Sequence, residues 1–384
     1  MKLKLVSLLL LLSFSTKAQT PTKLSTGQFG FAEGPVWDRS DNIYFSDILG
    51  RIVEKYSVTN KTFTTAFSIP SPARTNGLMF DKNLNLIVCD FRDGNVTKRN
   101  VVGSILETYA SGILNANDLC LDKKEGVYVS SPNSSKVYYI SPSPSRTLTI
   151  VDDTLSSPNG VIVSNDGTTL FVNDSDSYSI YKYDINSTTG LLSNKTIFAT
   201  LEDTDASEAK SLADGMALDT DGNLYVANKK SIQIFNATGT RTNTIPFTEN
   251  PTNCTFGGTS LNTLYVTTPN DLYSIDFTGV TGFQHPFDLP EANLSNPQNV
   301  REKHSFKVFP NPVNNHKITI AVGNNIISEV LIYNKLGQKL GSFPFQKENN
   351  TIKINLDKNL KNDTYFLSIV TDKGEINNSK IVLH

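Results

Sequence analysis

Apolar and polar positions alternate along most of the chain, in a pattern that is clearest over residues 214–228, DGMALDTDGNLYVAN. The apolar run Met216–Leu218 is followed by a polar turn rich in Asp and Gly, and then by a second apolar run at 224–226. Short apolar runs on either side of an Asp/Gly turn are typical of two antiparallel strands. This stretch is therefore predicted to be a β-hairpin.

The same pattern returns five more times, at intervals of roughly 40 to 54 residues. The other first strands lie in the segments EGPVWD, NGLMFD, NDLCLD, NGVIVS and NCTFGG, and a second strand follows each about ten residues later. Such an interval is typical of four-stranded propeller blades. Third and fourth strands follow, as in RIVEKYSV and TFTTAFSI, and helical periodicity is nearly absent. The sequence predicts an all-β fold, with a six-bladed β-propeller over residues 28–290.

One position of the repeat always carries a side-chain oxygen: Glu33, Asn76, Asn117, Asn159, Asp214 and Asn253. Rotation about the central axis relates equivalent positions of a propeller, so these side chains are predicted to form a ring at one mouth of the channel. Hard cations such as Ca²⁺ bind about six to eight oxygen ligands. We therefore predict a site for one divalent cation, with Ca²⁺ preferred and Zn²⁺, Mg²⁺ or Mn²⁺ as alternatives.

A structural alternative exists for each ring position, because Asn and Asp often cap their own backbone at strand ends. This alternative weighs most for Asn76 and Asn253 and least for Glu33, Asn159 and Asp214. Another candidate calcium loop, the D-x-D-G stretch at 219–222, lacks the Glu that an EF-hand requires, and it corresponds to a hairpin turn in the other copies.

The repeat contains one insertion, LEDTDASEAKSLA, at residues 201–213. The insertion is acidic and polar, and it runs directly into Asp214, so it is predicted to lie over the same mouth as the ring. Long loops of this kind often carry function. It is a candidate lid or substrate-contacting loop, and the alternative is a solvated surface loop.

The two ends of the chain differ from the repeats. Residues 1–18 combine Lys2 and Lys4 with a short apolar run and small residues, which predicts a secretory signal peptide, and residues 19–27 form a leader. No segment is long and apolar enough for a transmembrane helix in the mature chain. Residues 291–305 are predicted to be a polar linker, and the short alternating strands of residues 306–384 predict a small β-sandwich.

Composition excludes several classes of protein. The net charge of −2, the pI near 6.1 and the absence of a basic cluster argue against a nucleic-acid partner. Three scattered cysteines, Cys89, Cys120 and Cys254, are too few for a disulfide framework or a zinc site; they are predicted to be small buried side chains, with one disulfide as the alternative. Of four histidines, only His285 lies in the repeats, at their end, so a Ser/His/Asp triad on the ring is not expected.

Six segments in order, EGPVW, NGL, NDL, SPNGV, DGMALDTDGNLYVA and TNCTFGG, resemble the SMP-30/gluconolactonase/LRE-like family of six-bladed propellers. The resemblance covers nearly all of residues 28–290. Members of this family bind one divalent cation, commonly Ca²⁺, in the central channel and hydrolyse sugar lactones, and relatives act on other esters. By this resemblance, Glu33, Asn159 and Asp214 are metal ligands.

The resemblance also implies substrate contacts and marks two departures. Asn117 matches a position that contacts substrate or metal, and with Asn76 and Asn253 it is predicted to bind substrate. The family often places an Arg two residues before this Asn to hold a sugar hydroxyl, whereas this chain has Asn115. The stretch at 90–92, Asp-Phe-Arg, also differs from the Glu-His-Gly-like stretch of many gluconolactonases. The particular sugar is therefore left open.

A second resemblance covers residues 306–384. The segments FPNP, VLIYNKLGQKL and YFLSIVTDKG are similar to the carboxy-terminal sorting domain of the type IX secretion system. This implies export across an outer membrane by that machinery, and a secreted or cell-surface location. A sandwich that binds carbohydrate is the alternative.

Together these observations predict a secreted, divalent-metal-dependent hydrolase that opens a sugar lactone or related ester. The cation is expected to polarise the carbonyl, and Asp214 to act as the base toward water, while Glu33 serves only as a ligand. The rival hypothesis is a non-catalytic, calcium-stabilised propeller that binds an extracellular glycan or protein, because a fold does not fix a function. A strictosidine-synthase-like or redox-linked propeller is disfavoured, because the ligand set looks complete and no cofactor motif is present.

Overall fold

The computed structural model describes residues 19–206, 209–285, 306–313, 315–323, 325–334, 339–371 and 376–383. The predicted signal peptide (1–18) and linker (291–305) lie outside the described residues. The chain divides into two compact units, Met1–Ala292 and Asn293–His384. Both units consist of strands, and the only helical element among the described residues is a 3₁₀ turn, Pro132–Ser134. The prediction of an all-β fold is confirmed.

The first unit contains six four-stranded sheets, and in five of them the strands pair in chain order. These five are β2–β5 (Ala32–Trp37, Asn42–Asp47, Ile52–Ser57, Thr62–Ser68), β6–β9 (Thr75–Phe80, Leu86–Asp90, Asn95–Arg99, Ile105–Ala110), β10–β13 (Leu119–Leu121, Val127–Ser131, Lys136–Ile140, Leu148–Asp152), β14–β17 (Pro158–Val163, Thr169–Asp174, Ser179–Ile185, Leu192–Thr200) and β18–β21 (Met216–Leu218, Leu224–Asn228, Ser231–Phe235, Arg241–Pro246).

The sixth sheet joins the two ends of the first unit. It consists of β22–β24 (Asn253–Gly257, Thr263–Thr267, Leu272–Asp276) and of β1 (Thr22–Lys23), which pairs antiparallel with β24. The segment predicted to be a leader thus contributes a strand. The first strand of each sheet contacts the first strand of the next, and β22 of the sixth sheet contacts β2 of the first. The six sheets agree with the predicted number of blades, which stays a prediction.

The polar turns explain why the hairpins form. In the hairpin of β18 and β19, Asp219 Oδ1 accepts hydrogen bonds from the backbone N–H groups of Asp221 (3.0 Å) and Asn223 (2.8 Å). Its Oδ2 accepts one from the Tyr225 hydroxyl at 3.1 Å. The D-x-D-G stretch is therefore a self-capped turn, in which an aspartate replaces missing backbone partners.

Apolar side chains pack between neighbouring sheets. Tyr44 of the first sheet and Phe80 of the second meet edge to face, with ring centroids 5.4 Å apart. Tyr225 of the fifth sheet meets Phe256 of the sixth in the same way at 4.9 Å. Period-2 alternation within each strand thus supplies an apolar face that is covered by the next sheet.

The second unit contains two four-stranded sheets that share one hydrophobic core. In spatial order they are β25-β26-β30-β29 and β28-β27-β31-β32, with the bounds β25 Lys307–Phe309, β26 Lys317–Ala321, β27 Ile327–Asn334, β28 Lys339–Ser342, β29 Phe345–Glu348, β30 Thr351–Asn355, β31 Thr364–Thr371 and β32 Ile376–Val382. The predicted carboxy-terminal β domain is confirmed. Sequence analysis missed β29, whose sequence FQKE has a single apolar residue and hence no visible alternation.

Asp271 is predicted to hold the amino-terminal strand in the sixth sheet. Its carboxylate lies 2.6 Å from Lys23 Nζ and accepts hydrogen bonds from Ser25 Oγ (2.7 Å) and Gly27 N (2.6 Å). We expect Asp271→Ala to lower the free energy of unfolding of the first unit by about 2 kcal/mol, because buried donors lose their acceptor. Urea unfolding can be followed by the fluorescence of Trp37, the single tryptophan, which is buried in this unit.

The control is Asp276→Ala, which removes an exposed carboxylate bonded to Thr263 Oγ1 in the same sheet. It should cost less than about 0.5 kcal/mol. Equal effects of the two substitutions would contradict the role given to Asp271.

Candidate metal centre

The structure places the six predicted ring residues at the same end of the six first strands. Four of them lie within β2, β6, β14 and β22, while Asn117 and Asp214 precede β10 and β18 by two residues. Side chains from different sheets touch there. Asn253 Nδ2 donates to Glu33 Oε2 at 3.0 Å, and Asp214 is hydrogen-bonded to both Glu33 and Asn159. Residues far apart in sequence therefore converge on one point.

Asp118 also belongs to this cluster, and sequence analysis missed it. Its carboxylate accepts hydrogen bonds from the backbone N–H groups of Leu119 (2.9 Å) and Val161 (3.2 Å), and it contacts the Asn253 amide. The residue after the ring position is glycine in four of the other five copies, so an aspartate at 118 was a visible departure. Three carboxylates, instead of two, are thus placed at this end.

Burial dominates the electrostatics of these carboxylates. It raises the pKa of Asp118 to about 7 and raises the pKa of Glu33 and Asp214 as well, with a further increase from the neighbouring carboxylates. Apart from the hydrogen bond between Glu33 and Asp214, the donors to Glu33 and Asp118 are amide groups, which carry no positive charge. A cluster of buried negative charge is costly unless a cation or protons compensate it.

Amide oxygens of the ring lack hydrogen-bond donors. Within the described part of the chain, Oδ1 of Asn76, Asn117 and Asn159 is buried without a partner. Buried polar atoms are nearly always satisfied, so three such oxygens at one site require an explanation. Asn253 differs, because its Oδ1 accepts a hydrogen bond from Cys254 N at 2.8 Å. Backbone capping therefore applies to Asn253 and leaves the oxygen of Asn76 available.

The residues fit a hard cation better than a soft one. Among the described residues, no group of three or more His, Cys, Asp or Glu side chains is close enough to hold a metal ion by itself. A cation at this point would thus need the amide oxygens together with the carboxylates. Mixed carboxylate and amide oxygens are the donors that Ca²⁺ and Mg²⁺ take.

Glycines allow the ring to be this tight. The amide N–H of Gly77 donates to Asn117 O at 2.8 Å, so two neighbouring first strands are joined at the level of the ring. A Cβ atom on Gly160 would lie 2.2 Å from the carbonyl oxygen of Asp214. Only glycine permits this approach, which explains why the ring residue is so often followed by it.

The insertion at 201–213 is anchored to the fifth sheet in its described part, which excludes residues 207–208. The Lys229 ammonium lies 3.0 Å from Asp203 Oδ1 and donates to Asp205 O at 2.6 Å. Its backbone N–H donates to Ser211 O at 3.2 Å. Because Lys229 is buried, these contacts hold the insertion on both sides of the gap. A lid role for the insertion stays a prediction.

The far end of the first strands is closed by residues 282–285. Phe283 N donates to Leu218 O at 2.8 Å, and the His285 ring lies 2.7 Å from Val163 O through Nε2. Val163 is four residues beyond Asn159 in β14, about 13 Å along the strand. His285 is therefore at the opposite end of the first strands from the ring, too far away to form a catalytic triad with a ring residue. A cavity of about 60 Å³ is lined by Asn253 of the ring, by Asp118 and by residues 283–285 of this segment.

The three cysteines are buried and free, as predicted for small core side chains. Burial raises the pKa of each thiol, so none is activated as a nucleophile. Within the described residues, no helix has the length and apolar character needed to span a bilayer.

Repeated four-stranded sheets, with oxygen side chains converging at one end of their first strands, define a propeller-type protein. The chain belongs to the SMP-30/Gluconolactonase/LRE-like family, whose sequence model matches residues 31–270. Residues 307–384 match the secretion system C-terminal sorting domain, which indicates export. Both predicted resemblances are confirmed.

Similar proteins agree with this assignment. Regucalcin of Gallus gallus is 26% identical over 282 residues, covering 65% of this chain and 86% of that protein. Gluconolactonase of Zymomonas mobilis is 27% identical over 250 residues, covering 56% and 69%. The gluconolactonase XC5397 of Xanthomonas campestris shares the fold, with a TM-score of 0.59 and 24% identity over 68% of this chain and 90% of its own. A calcium-binding regucalcin of Agrobacterium tumefaciens does so with a TM-score of 0.58 and 16% identity, over 69% and 95%.

We expect Gly160→Ala to widen the ring. The new Cβ would force β14 away from Asp214, so the free energy of unfolding should fall by about 1–3 kcal/mol, and divalent-cation binding measured by calorimetry should weaken. Gly341→Ala is the control, because the nearest atom to its Cβ belongs to the Phe343 ring at 3.6 Å, an ordinary contact. Unchanged cation binding in a folded Gly160→Ala variant would contradict the close-approach argument.

His285 should make the first unit sensitive to acid. Burial lowers its pKa to about 4, whereas the unfolded chain takes up the proton near pH 6.5. The stability that the first unit gains from keeping His285 neutral is thus fully present above pH 6.5, and it is lost as the pH falls toward 4. Between pH 7 and pH 5, the wild type should lose about 2 kcal/mol more than His285→Gln.

The measurement is urea unfolding at several pH values, followed by Trp37 fluorescence, with His316→Gln in the second unit as the control. Parallel pH profiles for the wild type and His285→Gln would show that His285 is not buried in its neutral form.

Proposed function

We propose that this chain is a secreted, divalent-metal-dependent hydrolase that opens a sugar lactone or a related ester. The observation that carries the proposal is the convergence of three buried carboxylates with three unpartnered amide oxygens. Carboxylate and amide oxygens are the ligands that a hard cation binds in proteins. The name of one relative, gluconolactonase, supports the same class of reaction.

We infer that Glu33, Asn159 and Asp214 hold the cation. Glu33 is almost fully buried and is fixed by the Asn253 amide and the Gly34 N–H, as suits a residue that only binds and orients. Asp118 lies beside this group and adds a third negative charge. The six sheets would then form a closed six-bladed propeller around the site, which the contact between β2 and β22 supports.

When bound, the cation would supply Lewis acidity toward the ester carbonyl. Asp214 would act as the base. It is more exposed than Glu33, and a hydrogen bond with Asn159 orients its carboxylate. It would accept a proton from the attacking water at a carboxylate oxygen and return it to the leaving hydroxyl. Asn117 and Asn76 offer oxygens at the same end and would orient the substrate hydroxyls, while Asn253 is proposed to position Glu33.

The signal peptide and the carboxy-terminal domain would deliver the enzyme outside the cell, through the type IX secretion machinery. The sorting domain would carry the signal for this export. The chemistry would then reside entirely in the first unit, where the carboxylates and the unpartnered amides lie.

The test is hydrolysis of a panel of sugar lactones and aryl esters by the full chain, first after chelation and then with Ca²⁺, Mg²⁺, Zn²⁺ or Mn²⁺ restored. We expect activity to vanish on chelation and to return with a hard cation. Asp214→Asn should lower kcat/KM by about 10²- to 10⁴-fold, because a general base contributes that much.

Asp176→Asn is the matched control. It alters an exposed carboxylate at the same end of the fourth sheet, 2.8 Å from Lys210 Nζ, and should leave kcat/KM unchanged. A folded wild type that binds a cation but hydrolyses no member of the panel would refute the enzyme and leave a binding module. An Asp214→Asn variant as active as the wild type would refute the assignment of the base.

A further inference from the structure

A second register of residues lies at the mouth, two positions before each ring residue. All six positions precede the first strand of their sheet, so they lie at the same end as the ring. Only one of the six carries a charge: Phe31, Arg74, Asn115, Ser157, Leu212 and Pro251. Arg74 is thus the single ionised side chain of this register.

The strand pairing fixes where Arg74 lies. β6 begins at Thr75, which pairs with Asp90 at the end of β7, so the next residues outward on the two strands are Arg74 and Phe91. The carbonyl of Phe91 accepts a hydrogen bond from Asn115 Nδ2 at 3.3 Å. Arg74 therefore adjoins the sector of the mouth that also contains Asn115.

Asn115 is already engaged by the protein. Besides the hydrogen bond to Phe91 O, its Oδ1 accepts one from Asn133 Nδ2 at 2.8 Å. The amide thus ties the loop after β7 to the loop after β11. Its second N–H remains available, but a neutral amide offers no positive charge, so a group that recognises an anion in this sector must come from another residue.

Arg74 is available for this task. In the part of the chain that the structure describes, it forms no hydrogen bond or ion pair, although it is only partly exposed. Two lysines at the same end have ion-pair partners, Lys210 with Asp176 and Lys230 with Asp205. A guanidinium without a partner in the protein can direct all of its N–H donors to a ligand.

We propose that Arg74 is a specificity-determining residue that binds an anionic substituent of the lactone, a carboxylate or a phosphate. A guanidinium offers a positive charge and a planar pair of N–H donors that matches either group. This inference rests on the proposed lactonase function. It narrows the substrate class to lactones of sugar acids that carry a second acidic group, in place of neutral aldonolactones.

The experiment compares three lactones on the metal-loaded full chain: neutral gluconolactone, glucarolactone with a free carboxylate, and 6-phosphogluconolactone. We expect the wild type to prefer one of the two anionic lactones. Arg74→Gln should lower kcat/KM for that lactone by about 10- to 100-fold, because a charged hydrogen bond is lost. It should change kcat/KM for gluconolactone less than about twofold, since no anionic group is then involved.

A control and a second readout separate recognition from folding or catalysis. Arg92→Gln removes an exposed arginine on the neighbouring loop and should leave the preference unchanged. Calorimetry should show that the wild type binds glucarate more tightly than gluconate, and that Arg74→Gln removes the difference. Arg74→Lys should restore it in part, because the charge returns without the planar pair of donors.

The outcomes separate the two hypotheses. If the wild type hydrolyses lactones but shows no preference for an anionic one, or if Arg74→Gln slows all three equally, the inference about Arg74 is wrong and the lactonase stands. If no lactone is hydrolysed and neither product binds, the proposed function fails and this inference falls with it.

Discussion

Three carboxylates buried at the same end of the first strands, those of Glu33, Asp118 and Asp214, are the constraint on which the first unit depends. Each would cost several kcal/mol as an isolated buried anion, and the repulsion between them adds to that cost. The donors that reach Glu33 and Asp118 are neutral N–H groups, so hydrogen bonding alone does not remove the charge. In the function proposed here, a divalent cation would compensate this charge and use the unpartnered oxygen of Asn159, while the unpartnered oxygens of Asn76 and Asn117 would face the substrate.

The rest of the first unit serves to bring these groups together. Capped Asp/Gly turns set the length of each hairpin, apolar faces stack sheet on sheet, and glycines such as Gly160 let neighbouring first strands approach closely at the level of the ring. Two further segments of the first unit complete the arrangement: β1 adds the last strand of the sixth sheet, and residues 282–285 contact the far ends of the first strands. The positions of the ring residues are thus set largely by contacts between other residues of the first unit.

Much of this organisation is visible in the sequence, because each repeat shows both the alternation typical of strands and the position that carries a side-chain oxygen. The predicted strand Met216–Leu218 is observed with the same bounds, and the ring residues converge as the repeat implied. Pattern reasoning missed features that depend on three-dimensional partners. Asp118 looked like a neighbour of the ring position, and nothing in the sequence shows that Asn253 turns its oxygen to its own backbone or that Asn115 joins two loops. The lone apolar residue of β29 likewise gave no period to detect.

The most direct test of the central claim is to locate a cation by anomalous diffraction from crystals grown with Mn²⁺, a scattering substitute for Ca²⁺. We predict a single strong peak at the ring, about 2.0–2.6 Å from oxygens of Glu33, Asn159 and Asp214, the range found for hard cations. Displacement of that peak by excess Ca²⁺ would identify a shared site. A crystal with clear density for the ring side chains and no anomalous peak among them would contradict the claim that these buried carboxylates exist to hold a metal.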